Sequence, residues 1–399
     1  MFNILNTTDC RGMAMRFVFL LSLVACQPGY TEFALPDSVQ IHGFASLGYF
    51  NTSKNNFFGD TKGNGDVDFW ELGINSSWRA RPDLQLSLQV VSRKAGETDD
   101  GDPRIDYGFV DYSFLSDVEN LWGVRLGRVV NPFGLYNDTR DMPFTRPSIL
   151  LPQSVYFDVN RQFALSGDGG QLYGERRTDF GDFFLQFNVF RPRVDDPDFV
   201  NVITGSAPGD LTGQTSWVGR LVYEKDAGKI RLALSTASWK AKFVPVAGDP
   251  EPETGKFEFK PVMFSAQYNA DKWSLTGEYA VRRSNFQGFG ISSFTGESFY
   301  IQGTYRLNPQ WEAMLRYDQL IWNRDDRNGK EFEEATGIPA HIRFAKDWAV
   351  GIRWDVTTTF MLRAEYHLID GTGWLSQLEN QEGTEKRWDM LAILAAYRF

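Results

Sequence analysis

From Val39 to Phe399 the chain alternates apolar and polar residues in segments of about ten, separated by turn residues. Successive strand side chains point to opposite faces, so each such segment predicts a strand with one apolar and one polar face. Sixteen segments can be read: 39–50, 67–78, 84–93, 105–114, 121–130, 167–176, 182–191, 216–225, 229–239, 260–269, 272–282, 298–307, 311–320, 348–356, 360–369 and 387–399. Short connectors such as Asn308-Pro309 and Thr357-Thr358-Thr359 alternate with eight long ones, at 51–66, 94–104, 131–166, 192–215, 240–259, 283–297, 321–347 and 370–386. Short turns at one end and long, Asp-, Gly- and Pro-rich loops at the other predict an all-β transmembrane antiparallel barrel of about 16 strands.

The last segment fixes which face meets lipid. Leu391, Ile393, Ala395, Tyr397 and Phe399 alternate to a terminal aromatic residue, so odd positions there face out and Met390, Leu394, Ala396 and Arg398 face in. A charge on the lipid face costs a few kcal/mol near the midplane, which allows the same sorting elsewhere. The rows Trp348/Val350/Ile352/Trp354, Phe360/Leu362/Ala364/Tyr366, Trp311/Ala313/Leu315/Tyr317 and Trp273/Leu275/Tyr279 face out. Arg353 and Asp355, Arg363, Glu365 and His367, Glu312, Arg316 and Asp318, and Glu278 and Arg282 then face in. Arg316, Arg353 and Arg363 recur on three consecutive strands and predict a positive ladder on the pore wall. Trp or Tyr at the ends of the outward rows predicts interfacial girdles. A barrel of this size is too wide for wall side chains to fill, so water is expected at the inward charges, without dry salt bridges.

The stretch from Asn131 to Leu165 breaks the alternation. Pro132, Pro143, Pro147 and Pro152 exclude a central strand or long helix. Its charges, Asp138, Arg140, Asp141, Arg146, Asp158 and Arg161, are interleaved with Phe133, Tyr136, Phe144, Tyr156 and Phe157, an aromatic content foreign to a disordered linker. The expectation is a rigid loop that folds into the lumen and narrows it.

Before the barrel, Arg16 and the apolar run Phe17–Ala25 are too short to span a bilayer and predict an export signal over 1–25, with Met15 as an alternative start. A short segment, 26–37, leads into the barrel at 38–399. Leu23-Val24-Ala25-Cys26 matches a lipoprotein box, with Cys26 the lipidated residue and cleavage nearby by signal peptidase I the alternative. The remaining cysteine, Cys10, precedes the signal, so the mature chain is expected to have no internal disulfide. Without residues 1–25 there are 39 basic and 50 acidic residues, a net charge of −11, and no basic tract for nucleic acid.

Over residues 38–399 the chain resembles the Gram-negative outer-membrane porins. The resemblance is carried by the export signal, the sixteen strands with alternating connectors, Phe399, the long loop after the fifth strand, and GRVVNPFGLYNDTRD (127–141), which is similar to a porin strand-to-loop passage. It implies an outer-membrane, water-filled channel for passive diffusion of small hydrophilic solutes and ions. It also implies contact with outer-membrane lipids and lipopolysaccharide, recognition of Tyr397 and Phe399 by the barrel-insertion machinery, a homo-oligomer such as a trimer, and no cofactor. By position it places Asp138, Asp141 and Asp158 on an inward constriction loop opposite Arg282, Arg316, Arg353 and Arg363. The loop departs from the general porins in lacking Pro-Glu-Phe-Gly-Gly and in carrying Arg140, Arg146 and Arg161.

Two other classes compete. A barrel enzyme needs a histidine with a nucleophile or acid partner, and the chain offers His42, His341 and His367 at no recognisable spacing. No catalytic residue is assigned and the expectation is no enzyme. A surface receptor or adhesin would use the outer loops. The carboxylate groups Asp99/Asp100/Asp102 and Asp195/Asp196/Asp198 match no calcium-loop pattern and are read as solvated turns, with no metal site.

Overall fold

The structure, a computed structural model, describes residues 36–194, 196–204, 207–246, 254–289 and 293–399. The export signal and Cys26 lie outside the described residues. The wall strands are β1 (Val39–Thr52), β2 (Asp66–Arg81), β3 (Leu84–Ala95), β4 (Arg104–Ser116), β5 (Asn120–Val130), β6 (Ser166–Thr178), β7 (Gly181–Pro192), β8 (Gly209–Lys225), β9 (Ile230–Pro245), β10 (Gly255–Asn269), β11 (Trp273–Gln287), β12 (Phe294–Arg306), β13 (Trp311–Ile321), β14 (Phe344–Asp355), β15 (Phe360–Gly371) and β16 (Arg387–Arg398). A two-residue bridge at Asp99–Asp100 pairs with the end of β3. Each strand pairs antiparallel with the next, and β16 returns to β1, from Phe44 opposite Arg398 to Thr52 opposite Met390. This is a closed sixteen-stranded antiparallel barrel. Closure leaves no unpaired strand edge, the condition for placing a sheet in hydrocarbon.

The seam explains the terminal aromatic. Phe399 donates its N–H to Gly43 O at 3.1 Å and accepts from Gly43 N–H at 3.2 Å. Its ring lies where a Cβ on Gly43 would stand, so the ring can cover this position only because it is a glycine. The ring remains 61% exposed on the outer face, in line with Tyr397.

Alternation sorts the wall as the charges require. Leu315, Val350, Ile352, Leu275 and Tyr279 are exposed on the outside, whereas Arg316, Glu278, Arg363, Glu365 and His367 are buried inside. At the turn end Trp311 and Trp354 are cross-strand partners with stacked rings 5.2 Å apart, and at the loop end Tyr317 and Trp348 meet at 4.8 Å. These are the two girdles.

Strands β8 to β11 run further than the alternation predicts, and β8 still pairs with β9 at Gly209 opposite Pro245. Beyond the apolar band the outer face has no need to be apolar, so pairing continues while the alternation fades. Part of the predicted loops 192–215, 240–259 and 283–297 is therefore strand.

The expectation of a lumen watered throughout is overturned at the level of the central loop. Two apolar clusters fill it there. In one, Phe144, Ile149, Leu150 and Phe157 of the loop pack on Met361, Met390, Leu394 and Ala396 of the wall. In the other, Phe133, Tyr136, Val155, Tyr156 and Phe163 pack on Phe190, Trp239, Met263 and Tyr300. Inward positions of these strands are apolar or small, and each buried aromatic or aliphatic side chain gains about 1.5–3 kcal/mol, so the loop displaces water instead of hanging in it.

Deleting Phe399 removes a pair of hydrogen bonds at the seam and the ring that covers Gly43. The expected outcome is a lower heat-modifiable, outer-membrane fraction with unfolded protein accumulating. Assembly at the wild-type level would refute a role for the residue in closure.

Candidate functional site: a loop locked inside the barrel

The central loop starts and ends at one point, because its neck is stapled. Asn131 donates its N–H to Leu165 O at 2.8 Å, and Asn137 Nδ2 donates to Asn131 O at 3.0 Å and Ala164 O at 3.1 Å. The last turn of the loop, Arg161–Leu165, is helical. From this neck the segment crosses to three regions of the inner wall, each contact using an inward side chain from a strand.

The first attachment is Glu278 on β11. Its carboxylate accepts from Leu135 N–H at 2.9 Å, Tyr156 O–H at 2.6 Å, Ser265 O–H at 2.6 Å and Tyr300 O–H at 2.8 Å. Tyr156 Oη in turn accepts from Leu135 N–H at 3.0 Å and Tyr136 N–H at 3.1 Å. One carboxylate thus orders both limbs of the loop. Hydrogen bonds to a charged group contribute about 1.5–3 kcal/mol each, more than ordinary ones.

The second attachment lies across β13 to β15. Arg316 donates to Ser148 Oγ at 3.0 Å and Leu150 O at 2.8 Å, Asp318 accepts from Ser154 N–H at 3.3 Å, and Glu365 accepts from Ile149 N–H at 2.5 Å. Behind them His367 stands between Asp347, 2.8 Å from Nδ1, and Glu365, 3.5 Å from Nε2.

The third is a dry charge network on β2 to β4. Glu71 receives both terminal nitrogens of Arg146, at 3.0 and 2.6 Å. Arg93, the cross-strand partner of Glu71, lies 3.6 Å from it, 3.5 Å from Asp99 and 3.0 Å from Asp158. Asp158 also faces Arg140 at 3.5 Å and Arg161 at 3.6 Å. Arg161 is bonded to Asp141, and Arg104 holds Asp99 through two bonds of 2.7 and 2.6 Å. Burial alone would raise the Asp158 carboxyl, but Arg93, Arg140 and Arg161 outweigh it and hold it below the usual carboxylate range. Burial and the neighbouring Arg161 push Arg140 down to about 9.

These partners differ from those the sequence predicts. Asp138 pairs with Arg220 of β8 at 2.6 Å, and Asp141 and Asp158 pair with Arg93 and the loop's own arginines. None of the three loop carboxylates makes an ion pair with Arg282, Arg316, Arg353 or Arg363 among the described residues. Instead Arg282 donates to Ile321 O at 3.3 Å and Glu297 O at 3.5 Å beneath the Phe157 ring, and Arg353 pairs with Asp355 at 2.8 Å. The arginine ladder is broken as well. Arg353 and Arg363 are direct cross-strand partners, but Arg316 stands higher on β13, opposite Ala349, and is taken up by the loop. Arg363 is 3% exposed, and none of its three guanidinium nitrogens has a hydrogen-bond partner among the described residues. Phe144 lies near Arg353 and Arg398, 6.0 and 4.5 Å from their guanidinium carbons.

Glu71, Arg93, Arg220 and Glu278 carry much of the attachment. Glu278 is legible as inward. Glu71, Arg93 and Arg220 sit at inward parity on β2, β3 and β8, and extending the inside/outside sorting to those strands would have found them. Of the carboxylate groups read as turns, Asp99 is occupied by Arg104 and Arg93, and Asp196 caps Phe199 N–H at 3.0 Å; Asp195 lies outside the described residues. No group of three or more metal-ligating side chains occurs among the described residues.

On the loop side of the constriction a cavity of about 1040 Å3 opens. Beside the loop itself, cavities of about 20 and 10 Å3 have room for about one water each.

No protein-family model and no curated relative matches the sequence. Solved structures do. OmpT of Vibrio cholerae superposes with a TM-score of 0.58 at 10% identity, over 92% of this chain and 100% of that one. An anion-selective porin from Comamonas acidovorans gives 0.57 at 12%, over 91% and 99%. The outer membrane channel DcaP of Acinetobacter baumannii gives 0.56 at 14%, over 90% and 97%. The shared property is the fold, a closed antiparallel β-barrel of the outer-membrane kind.

Replacing Glu71 by Leu strands Arg146 in a dry site, while Arg93 keeps Asp99 and Asp158, and is expected to destabilise the loop-in state by about 3–5 kcal/mol, read as lower thermal stability of the purified barrel. Acid should act at the same place. Asp158 is depressed in the folded state, so its contribution is complete above about pH 4 and is lost as pH falls through its folded value. Current noise from loop motion should therefore rise on acidification below that range, and Asp158→Asn should show the raised noise already at pH 7.

Proposed function

We propose that the protein is an outer-membrane channel for small hydrophilic solutes and ions, and that its central loop is the element that limits passage. The attachment of that loop to three regions of the inner wall by Glu278, by Arg316 and Glu365, and by Glu71 carries the proposal. A receptor or adhesin needs shaped outer loops and places no such demand on the lumen. An enzyme would need a nucleophile beside His367, where the neighbours are Asp347 and Glu365. The fold shared with an anion-selective porin and with DcaP supports the same function.

Ion preference follows from what stays uncompensated. On β2 to β4 and the loop, Arg93, Arg104, Arg140, Arg146 and Arg161 pair with Glu71, Asp99, Asp141 and Asp158, five arginines to four carboxylates. Arg363 makes no ion pair among the described residues, which favours anions.

The membrane setting extends the proposal. Lys260 and its cross-strand partner Arg283 point outward just beyond the exposed Val262 and Tyr279, where anionic lipopolysaccharide head groups would meet them. The outward Arg128–Asp168 pair, at 2.7 Å, suits a protein contact better than lipid and fits a homo-oligomer such as a trimer.

In planar bilayers the wild type should give small, resolvable channels. Deleting Asp141–Ser154 should enlarge the single-channel conductance and weaken ion selectivity. An unchanged conductance with the barrel folded would remove the loop from the pathway. Changing Arg353 and Arg363 to Ala should move the reversal potential under a salt gradient towards cations, and no movement would make the two arginines structural.

A further inference from the structure

The cavity of about 1040 Å3 on the loop side has the wrong lining for a passage that merely passes hydrated ions. Phe157, Phe163, Phe257, Phe286, Phe294 and Trp322 supply its walls. They form a continuous aromatic surface: Phe257–Phe286 at 5.0 Å, Phe286–Phe294 at 5.9 Å, Phe294–Trp322 at 5.9 Å and Trp322–Phe157 at 6.2 Å between ring centroids. Water against such a surface gains nothing, and a flat apolar body would displace it favourably.

Two guanidinium groups interrupt the aromatic wall. Arg282 lies 5.0 Å from the Phe157 ring centre, is 7% exposed, and its Nε is buried without a hydrogen-bond partner. Its bonds go to backbone carbonyls at 3.3 and 3.5 Å, long for a charged donor. Arg343 is sandwiched among Phe294, Trp322 and Phe332, at 5.3, 5.7 and 4.6 Å. Neither guanidinium makes an ion pair among the described residues, whereas the arginines of the loop network all do. Both line the cavity. Cations held against aromatic faces, with Asp318 and Asp326 acting on them only from beyond ion-pairing distance, leave a vacancy for one anion.

We propose that this outer vestibule is a binding site for amphipathic organic anions, molecules with a flat aromatic body and one carboxylate. The body lies on the Phe257–Phe294–Trp322 surface and the carboxylate takes the donors of Arg282 and Arg343. Small inorganic ions lack the body, and neutral aromatics lack the charge, so neither fills both halves of the site. The proposal deepens the channel function by naming a solute class, and it uses that function only for the electrical readout below.

The test uses the full-length barrel in planar bilayers in KCl, with 2-naphthoate added on the loop side. The expected result is a saturable interruption of the current, weakened about tenfold in apparent affinity by Arg343→Gln, the loss of one charge-assisted contact. Arg282→Gln combined with Arg343→Gln should abolish it. Arg343 lies outside the wall strands, so its single variant keeps the test sound if the double variant fails to fold. 2-Naphthamide and acetate should not interrupt the current at the same concentration. Interruption by 2-naphthamide as strong as by 2-naphthoate, an effect unchanged in Arg343→Gln, or no saturable effect would each overturn the site while leaving the channel standing. A wild type that passes no current fails the channel function instead. Equilibrium dialysis of 2-naphthoate against wild type and Arg343→Gln in lipid nanodiscs then decides the site by the same tenfold criterion.

Discussion

A sheet placed in hydrocarbon must pair every backbone N–H and C=O within itself, and the remaining features of this protein follow from how that requirement is met. The chain closes β16 on β1 and lays Phe399 over Gly43 to finish the ladder. Closure with sixteen strands fixes a lumen wider than two layers of side chains. That space has to be wetted or filled. The protein fills its middle with a segment of its own, and the position and fastening of that segment decide how much of the lumen stays open.

Two kinds of force hold the segment, and they do different things. The apolar contacts of Phe133, Phe144, Tyr156, Phe157 and Phe163 supply most of the gain, since burying each such group is worth about 1.5–3 kcal/mol. The buried ion pairs around Glu71, Arg93 and Asp158 contribute less net stability, because taking the charges out of water offsets much of their attraction. Their consequence is register. Removing one member leaves an unpaired charge in a dry site, so alternative seatings of the loop are excluded and a single constriction geometry is selected.

The inner surface is divided accordingly. Around β2 to β4 it is a lattice of paired arginines and carboxylates; around β10 to β13, on the loop side, it is aromatic with two arginines that make no ion pair among the described residues. The lattice holds the loop by pairing its charges internally. Arg363 at the constriction and Arg282 and Arg343 above it make no ion pair among the described residues, and Glu278 is held by neutral donors alone.

Period-two alternation, alternating connector lengths and the terminal aromatic row were enough to determine the strands, the barrel and the inward parity of Glu278, Arg316, Arg363 and Glu365, because each is a local consequence of which face of a strand meets lipid. Four prolines and the interleaved aromatics Phe133, Tyr136, Phe144, Tyr156 and Phe157 likewise marked 131–165 as an ordered insertion. Which inward groups face one another could not be read in the same way. Glu71 and Arg93 are joined by strand pairing, but Asp158 reaches Arg93 across 65 residues and Arg146 reaches Glu71 across 75, so these meetings depend on the path of the loop through three dimensions. The dryness of the lumen was hidden for the same reason. Met390, Leu394 and Ala396 look like incidental apolar residues on a polar face until Phe144 and Leu150 are seen against them, and only the tertiary fold brings these together.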